Sequence, residues 1–187
     1  HAFRYCSSLT SVYITDIEAW CNISFGSDDA NPLCNGANLY LNNELVTELV
    51  IPDTITEIKQ YAFYGCSSMT SVVIPDSVAS IAGGAFYNCS SMTSVVIGGS
   101  VTSIGAQAFY DCDSLASVII GDSVTEIGHS AFYDCDNLAS VAIPESVEII
   151  KSSAFSNCTG LTNIVIPSNL KTIESSAFSS CTGLTSV

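Results

Sequence analysis

Hydrophobic positions recur along the chain with a fixed spacing of 23 residues, set by six Ala-Phe pairs: Ala62-Phe63, Ala85-Phe86, Ala108-Phe109, Ala131-Phe132, Ala154-Phe155 and Ala177-Phe178. Aligned on these pairs, each unit reads A-F-x-x-C-x-x-L-x-x-V-x-I-P-x-x-V-x-x-I. One copy supplies Phe63, Cys66, Met69, Val72, Ile74, Pro75, Val78 and Ile81, and another Phe132, Cys135, Leu138, Val141, Ile143, Pro144, Val147 and Ile150. The V-x-I segment alternates with period two and is β-branched, which predicts a short strand with two inward residues. Pro52, Pro75, Pro144 and Pro167, or Gly98 and Gly121 in their place, end that strand. Proline withholds the N–H that would continue the ladder, and glycine permits a tight turn. The V-x-x-I segment, as at Val124 and Ile127, predicts a second extended piece. The Ala-Phe-x-x-Cys-x-x-Leu stretch spaces its apolar groups by three and four, predicting short helical or 3-10 turns.

A strict period of this length means stacked copies of one unit, each burying its apolar face only against its neighbours. The expected fold is a repeat solenoid of about eight coils spanning 1–187 as a single domain. Its parallel strands should lie about 4.8 Å apart, joined by right-handed crossovers. Phenylalanine and cysteine ladders should run down the inside. The first residues, from His1 to Cys6, already read as an Ala-Phe-x-x-Cys element, and the last four stop where a strand is due. The expectation is an excised segment of a longer array.

The period fails once. Val12 and Leu49 occupy equivalent strand positions, yet 37 residues separate them, one repeat plus 14. The insertion, at about 16–45, holds the sole tryptophan, Trp20, and two off-register cysteines, Cys21 and Cys34. Two apolar runs around Asn42-Asn43 predict a hairpin with a two-residue turn, because asparagine tolerates positive φ. Two readings stay open: a projection from one edge of the solenoid, or a divergent coil that packs Trp20 inward.

Composition narrows the function. A net charge of −14 with only four basic residues opposes binding to nucleic acid or to anionic lipid. No apolar run approaches the length of a membrane helix. Seven of the nine cysteines are in register: Cys6, Cys66, Cys89, Cys112, Cys135, Cys158 and Cys181. Stacked equivalents have parallel Cβ vectors, poor geometry for a disulfide, so buried free thiols are expected and only Cys21 with Cys34 is a pair to consider. Asp111, Asp113, Asp134 and Asp136 flank cysteines in adjacent copies and read as a solvated rim or, alternatively, a site for a hard cation. His1 and His129 belong to no Ser/His/Asp or Cys/His arrangement, and no phosphate-cradling loop is present. No enzyme activity and no cofactor is therefore expected. Asn22, Asn88 and Asn157 head glycosylation sequons.

Two outward columns are candidate binding faces. The first is Tyr13, Val50, Val73, Val96, Ile119, Ala142 and Val165, bordered by Ser71, Ser94, Ser117, Ser140 and Asn163. An exposed apolar stripe marks an interaction site, but β-propensity alone also favours valine there. The second is Tyr64, Tyr87, Tyr110 and Tyr133, a row suited to stacking on sugars or side chains or simply on itself. Trp20 completes the candidate set.

The unit resembles leucine-rich repeats, with Leu-x-x-Val-x-Ile standing where Leu-x-x-Leu-x-Leu is usual. It is most similar to the BspA-like, or Treponema pallidum type, through stretches such as Ile127 to Cys135 (I-G-H-S-A-F-Y-D-C) and Leu115 to Val124 (L-A-S-V-I-I-G-D-S-V). The resemblance covers 1–14 and about 46–187. It implies that the valine column lies on the concave face, and that the chain is secreted or at the cell surface. It further implies adhesion to proteins of the extracellular matrix, of a host or of neighbouring cells, with glycans as a further partner. The alternative is a passive spacer that displays another domain.

Overall fold

The computed structural model describes residues 2–187, with His1 outside the described residues. The chain winds into a β-solenoid of about 7 turns, one fewer than the period suggests. Each regular coil contributes a front strand and a second strand. The front strands are Glu48–Val50, Ser71–Ile74, Ser94–Ile97, Ser117–Ile119, Ser140–Ala142 and Asn163–Val165. They pair in parallel one coil apart, for example Val72 with Val95 and Val95 with Val118. The second row runs from Glu57–Ile58 through Ser80–Ile81, Ser103–Ile104, Glu126–Ile127 and Ile149–Ile150 to Thr172–Ile173 as one 6-stranded sheet. Inward residues of the front strands and of the second row as far as Ile150 are buried, while the residue after the first inward one in each front strand (Val50, Val73, Val96, Ile119, Ala142, Val165) faces out, as the period-two pattern requires.

The Ala-Phe stretch closes each coil with tight turns that bond at i→i+3 without a continuous helix: Ala62 N donates to Lys59 O, Cys66 N to Phe63 O and Met69 N to Cys66 O. Two left-handed residues per coil stop helix propagation. One precedes the alanine (Tyr61, Gly84, Gln107, Ser130, Ser153, Ser176) and one precedes the cysteine (Gly65, Asn88, Asp111, Asp134, Asn157, Ser180). Glycine, asparagine and aspartate fill the second position in five coils because they tolerate positive φ best. Gly65 carries a further constraint, since a Cβ there would meet Leu33 O at 2.5 Å.

These turns form a third ladder. Phe63 N donates to Ala85 O, Phe86 N to Ala108 O and so on to Phe155 and Ala177, all at 2.7–2.8 Å. Inside it the phenylalanines Phe63 to Phe155 are wholly buried and stack on one another at 5.2–5.4 Å between ring centroids, with planes within 6°. Parallel planes at that separation are the offset arrangement that aromatic quadrupoles favour.

All nine cysteines are free. The ladder thiols do more than fill space. Sγ of Cys89, Cys112, Cys135, Cys158 and Cys181 each donates to the phenylalanine carbonyl of the preceding coil, at 3.0–3.3 Å. Burial pushes Cys112 and Cys158 up to about 12 and holds Cys89 and Cys135 well above the ordinary thiol range. Each sulfur therefore keeps the proton it donates.

The insertion is a divergent coil and not a simple projection. Strand β1 (Ser11–Ile14) pairs in parallel with β2 (Asn38–Leu41), so Val12 sits opposite Leu39 and not Leu49. The Asn42-Asn43 hairpin forms as the sequence predicts. Both asparagines have positive φ, 51° and 69°, and β2 pairs antiparallel with β3 (Glu44–Leu45). Between them the insertion carries the turn ladder across. Phe3 N donates to Asp29 O, while on the far side Trp20 Nε1 donates to Ala62 O at 3.0 Å, and Asn31 Nδ2 to Tyr61 O and Ala62 O at 2.7 and 3.1 Å. Side-chain donors thus stand where a regular coil would offer backbone N–H groups.

Candidate interaction surface

The outward column of the front strands is built by the pleat alone. Val50, Val73, Val96 and Ile119 are consecutive register partners, and Ala142 pairs with Val165. Val73 is 39%, Val96 36% and Ile119 58% exposed, against 1–7% for the inward residues flanking these three. At the other end Tyr13 stacks on Tyr40, ring centroids 4.8 Å apart. Tyr40 escapes the repeat pattern, because Leu39-Tyr40-Leu41 reads as an arm of the hairpin and not as a front strand. The insertion thus adds a second aromatic beside Tyr13, in a sheet separate from that of Val50.

The ladder of this face opens at the hairpin, where β1, β2 and β3 form a sheet apart from Glu48–Val50, and once more among the regular coils. Ser117–Ile119 and Ser140–Ala142 belong to separate sheets. In most coils a threonine before the front strand ties the coils together, Thr70 Oγ1 donating to Thr47 O, Thr93 to Thr70 O, Thr162 to Ala139 O and Thr185 to Thr162 O. At this second opening both positions are alanine, Ala116 and Ala139.

The tyrosine row is rigid and turned on itself. Tyr64, Tyr87, Tyr110 and Tyr133 stack at 4.6–4.8 Å, Tyr61 covers Tyr64 edge-on, and Asn157 Nδ2 donates to the Tyr133 hydroxyl at 3.0 Å. Burial, with nearby carboxylates adding to it, raises Tyr64 to about 12 and shifts Tyr87 and Tyr110 the same way. The ring faces are spent on each other, leaving edges and hydroxyls. Trp20 is buried in the core, 5% exposed, with its N–H already bonded.

The acidic rim follows from backbone conformation. Asp111 and Asp134 hold the left-handed position before cysteine, and their N–H groups donate to Tyr133 O and Ser156 O of the next coil. Burial, then the Asp134 charge, raises Asp111 to about 6; burial, then Asp136, raises Asp113. Among the described residues no three His, Cys, Asp or Glu side chains are placed to hold a metal ion.

His129 is exposed, with Nδ1 at 2.8 Å from Ser152 Oγ and Nε2 at 3.2 Å from Ser130 Oγ. Neither ring nitrogen faces a carboxylate, so the orienting member of a triad is missing. All four basic residues are engaged with acids: Arg4 with Asp29, Lys59 with Glu57, Lys151 with Glu126 and Glu174, and Lys171 with Glu148. This disperses positive charge where a nucleic-acid surface would concentrate it. Among the described residues no helix is long and apolar enough to cross a membrane.

Residues 36–116 and 80–187 match the BspA type leucine rich repeat region, in 6 copies. The chain is similar to the T. pallidum leucine-rich repeat protein, at 32% identity over 75% of this chain and 68% of that one, with a TM-score of 0.73. It is also similar to a leucine-rich repeat protein from Bacteroides ovatus, at 32% identity and TM-score 0.74, covering 96% of this chain and 48% of that one. A third relative is a leucine rich cell surface protein from Faecalibacterium prausnitzii, at 26% identity and TM-score 0.66, covering 99% and 61%. The chain thus spans about half to two thirds of the length of these relatives. No curated protein matches it.

Proposed function

Because the chain belongs to the BspA-type leucine-rich repeat family, we propose that it is a non-catalytic binding module of a secreted or cell-surface protein. In this reading it attaches to a protein of the extracellular matrix or of a host or neighbouring cell. The observation that carries the proposal is the exposed apolar column of Val50, Val73, Val96, Ile119 and Val165 on the front strands, with the outward Tyr13–Tyr40 pair on the separate sheet of the divergent coil. Apolar side chains held out on a rigid sheet lose little entropy on contact and gain by leaving water. Aromatic residues at one end supply the kind of anchor that dominates protein interfaces. The cell-surface description of the F. prausnitzii relative supports the location.

The test is binding of the purified chain to arrayed matrix and cell-surface proteins, repeated with Val96→Glu and Ile119→Glu. These positions are exposed, so the variants should melt with the parent, and binding should fall about tenfold or more per charge placed in the contact. Ala142 and the small polar neighbours Ser117 and Ser140 favour a second reading, a passive spacer. Uniformly negative arrays with a folded chain would establish the spacer in place of the binder.

A further inference from the structure

We propose that the groove between the end of β1 and helix α1 (Ile17–Cys21) is a carbohydrate site for an uncharged hexose unit. The groove has a volume of about 410 Å³ and is lined by Tyr13, Thr15, Asp16, Ala19, Trp20 and Ile23, among others. That size lies within the range of small-molecule sites. Its wall is aromatic and aliphatic with few polar groups, as such sites require.

The chemistry fits a pyranose. One face of the Tyr13 ring packs on Tyr40 with planes 20° apart, which holds it in place, and the side chain is still 63% exposed. A fixed aromatic face accepts the C–H face of a sugar ring with little loss of side-chain entropy. Asp16 Oδ1 is committed to Glu18 N and Ala19 N at 2.9 and 3.1 Å. That fixes the carboxylate and leaves Oδ2 to accept a sugar hydroxyl, and Thr15 adds a hydroxyl that donates or accepts. Ile23, 42% exposed, completes an apolar rim that core packing does not require.

Charge selects among sugars. Asp16 lines the groove and Glu18 follows it in α1, in a chain of net charge −14, so uronic and sialic acids meet repulsion that neutral hexoses do not. Contrast the tyrosine row, whose stacked faces are closed to a sugar. The site stands independently of the protein-binding column, which it touches only at Tyr13.

Trp20 is the sole tryptophan and lines the groove, so its fluorescence reports occupancy directly. The full chain is titrated with lactose, maltotriose, cellotriose and tri-N-acetylglucosamine, with digalacturonate as the charged arm and a short apolar peptide as the peptide arm. We expect a saturable change with at least one neutral saccharide and none with digalacturonate. Tyr13→Ala and Ile23→Ala should each weaken it, the tyrosine by about tenfold, while Val96→Glu leaves it unchanged. Absence of a saturable response to every neutral saccharide overturns the proposal. So does an equal response in both groove variants, a response to the peptide alone, or tighter binding of digalacturonate. Loss of protein binding in Val96→Glu with the sugar response intact would separate the two surfaces.

Discussion

Replacing Cys135 by alanine should cost more than replacing Cys89, although both are wholly buried and both substitutions remove the same atom. Removing a buried sulfur leaves a small cavity, worth about 1–1.5 kcal/mol at either site. The sites differ in what the sulfur was bonded to. Cys89 Sγ donates to Phe63 O, which also accepts Cys66 N at 3.1 Å and so keeps a partner when the thiol goes. Cys135 Sγ donates to Phe109 O at 3.3 Å, and among the described residues that oxygen accepts no backbone hydrogen bond. A buried carbonyl left unpaired costs about 1–3 kcal/mol. The expected totals are about 1–2 kcal/mol for Cys89→Ala and about 2–4 kcal/mol for Cys135→Ala, with Cys135→Ser recovering part of the gap because it restores a donor. Urea unfolding followed by far-UV circular dichroism measures this, provided the m-values agree between variants. Equal losses at the two sites, or no rescue by serine, would show that the thiols act only as small apolar fillers.

The raised thiol pKa values predict that at pH 8 a disulfide reagent labels exposed Cys6 first, whereas Cys112 and Cys135 react only on unfolding; mass spectrometry of the native protein showing the ladder labelled as fast as Cys6 would contradict it. Asp111 has a folded pKa raised from 3.8 to about 6, by burial first and Asp134 second, so the folded state holds this proton more tightly than the unfolded chain. Its contribution is full below about pH 4 and is lost as pH rises through about 6. Asp111→Asn should therefore raise Tm at pH 7 and change it little at pH 4, and a drop at pH 7 would refute the linkage. Asn31 is buried and makes three bonds, two as donor to Tyr61 O and Ala62 O and one as acceptor from Leu33 N. Asn31→Ala should cost about 2–4 kcal/mol in urea unfolding, and Trp20→Phe less, because Asn31 still bonds Ala62 O; the reverse order would place the ladder closure on the tryptophan.

The strands, their register and the hairpin turn were legible because each depends on residues close in sequence. Val72 and Ile74 point inward by the pleat, and Asn42-Asn43 turn by their own φ preference. The insertion was only half legible. Whether it projects or coils is decided by Trp20 and Asn31 reaching carbonyls 42 and 31 residues away, and nothing local to either residue announces that partner. That Leu39 and not Leu49 lies beside Val12 has the same origin. Leu39-Tyr40-Leu41 carries the front-strand pattern, but the absence of an Ala-Phe pair before it hid the coil, and with it Tyr40. The acidic rim was visible as Asp-Cys-Asp, but its cause was not, because a positive φ at Asp111 and Asp134 emerges only from the three-ladder closure. The sequence offered cation binding as one reading of those acids, and the backbone now supplies a reason for Asp111 and Asp134 that needs no ion.

That cause bears on where function can lie. In each coil the inward front and second-row residues, the phenylalanine, the cysteine and the left-handed position before it are all fixed by a ladder or a dihedral angle. A substitution there is paid in stability before it can alter recognition. The tyrosine row is committed too, since removing one ring exposes the faces of two others. What remains unconstrained is the outward residue of each front strand and the groove of the divergent coil. Val50, Val73, Val96 and Ile119 need only suit a β-strand, and serine or threonine would suit it at less risk of aggregation. Their apolar row, like the outward tyrosine pair where the repeat is broken, is a feature that folding alone does not require.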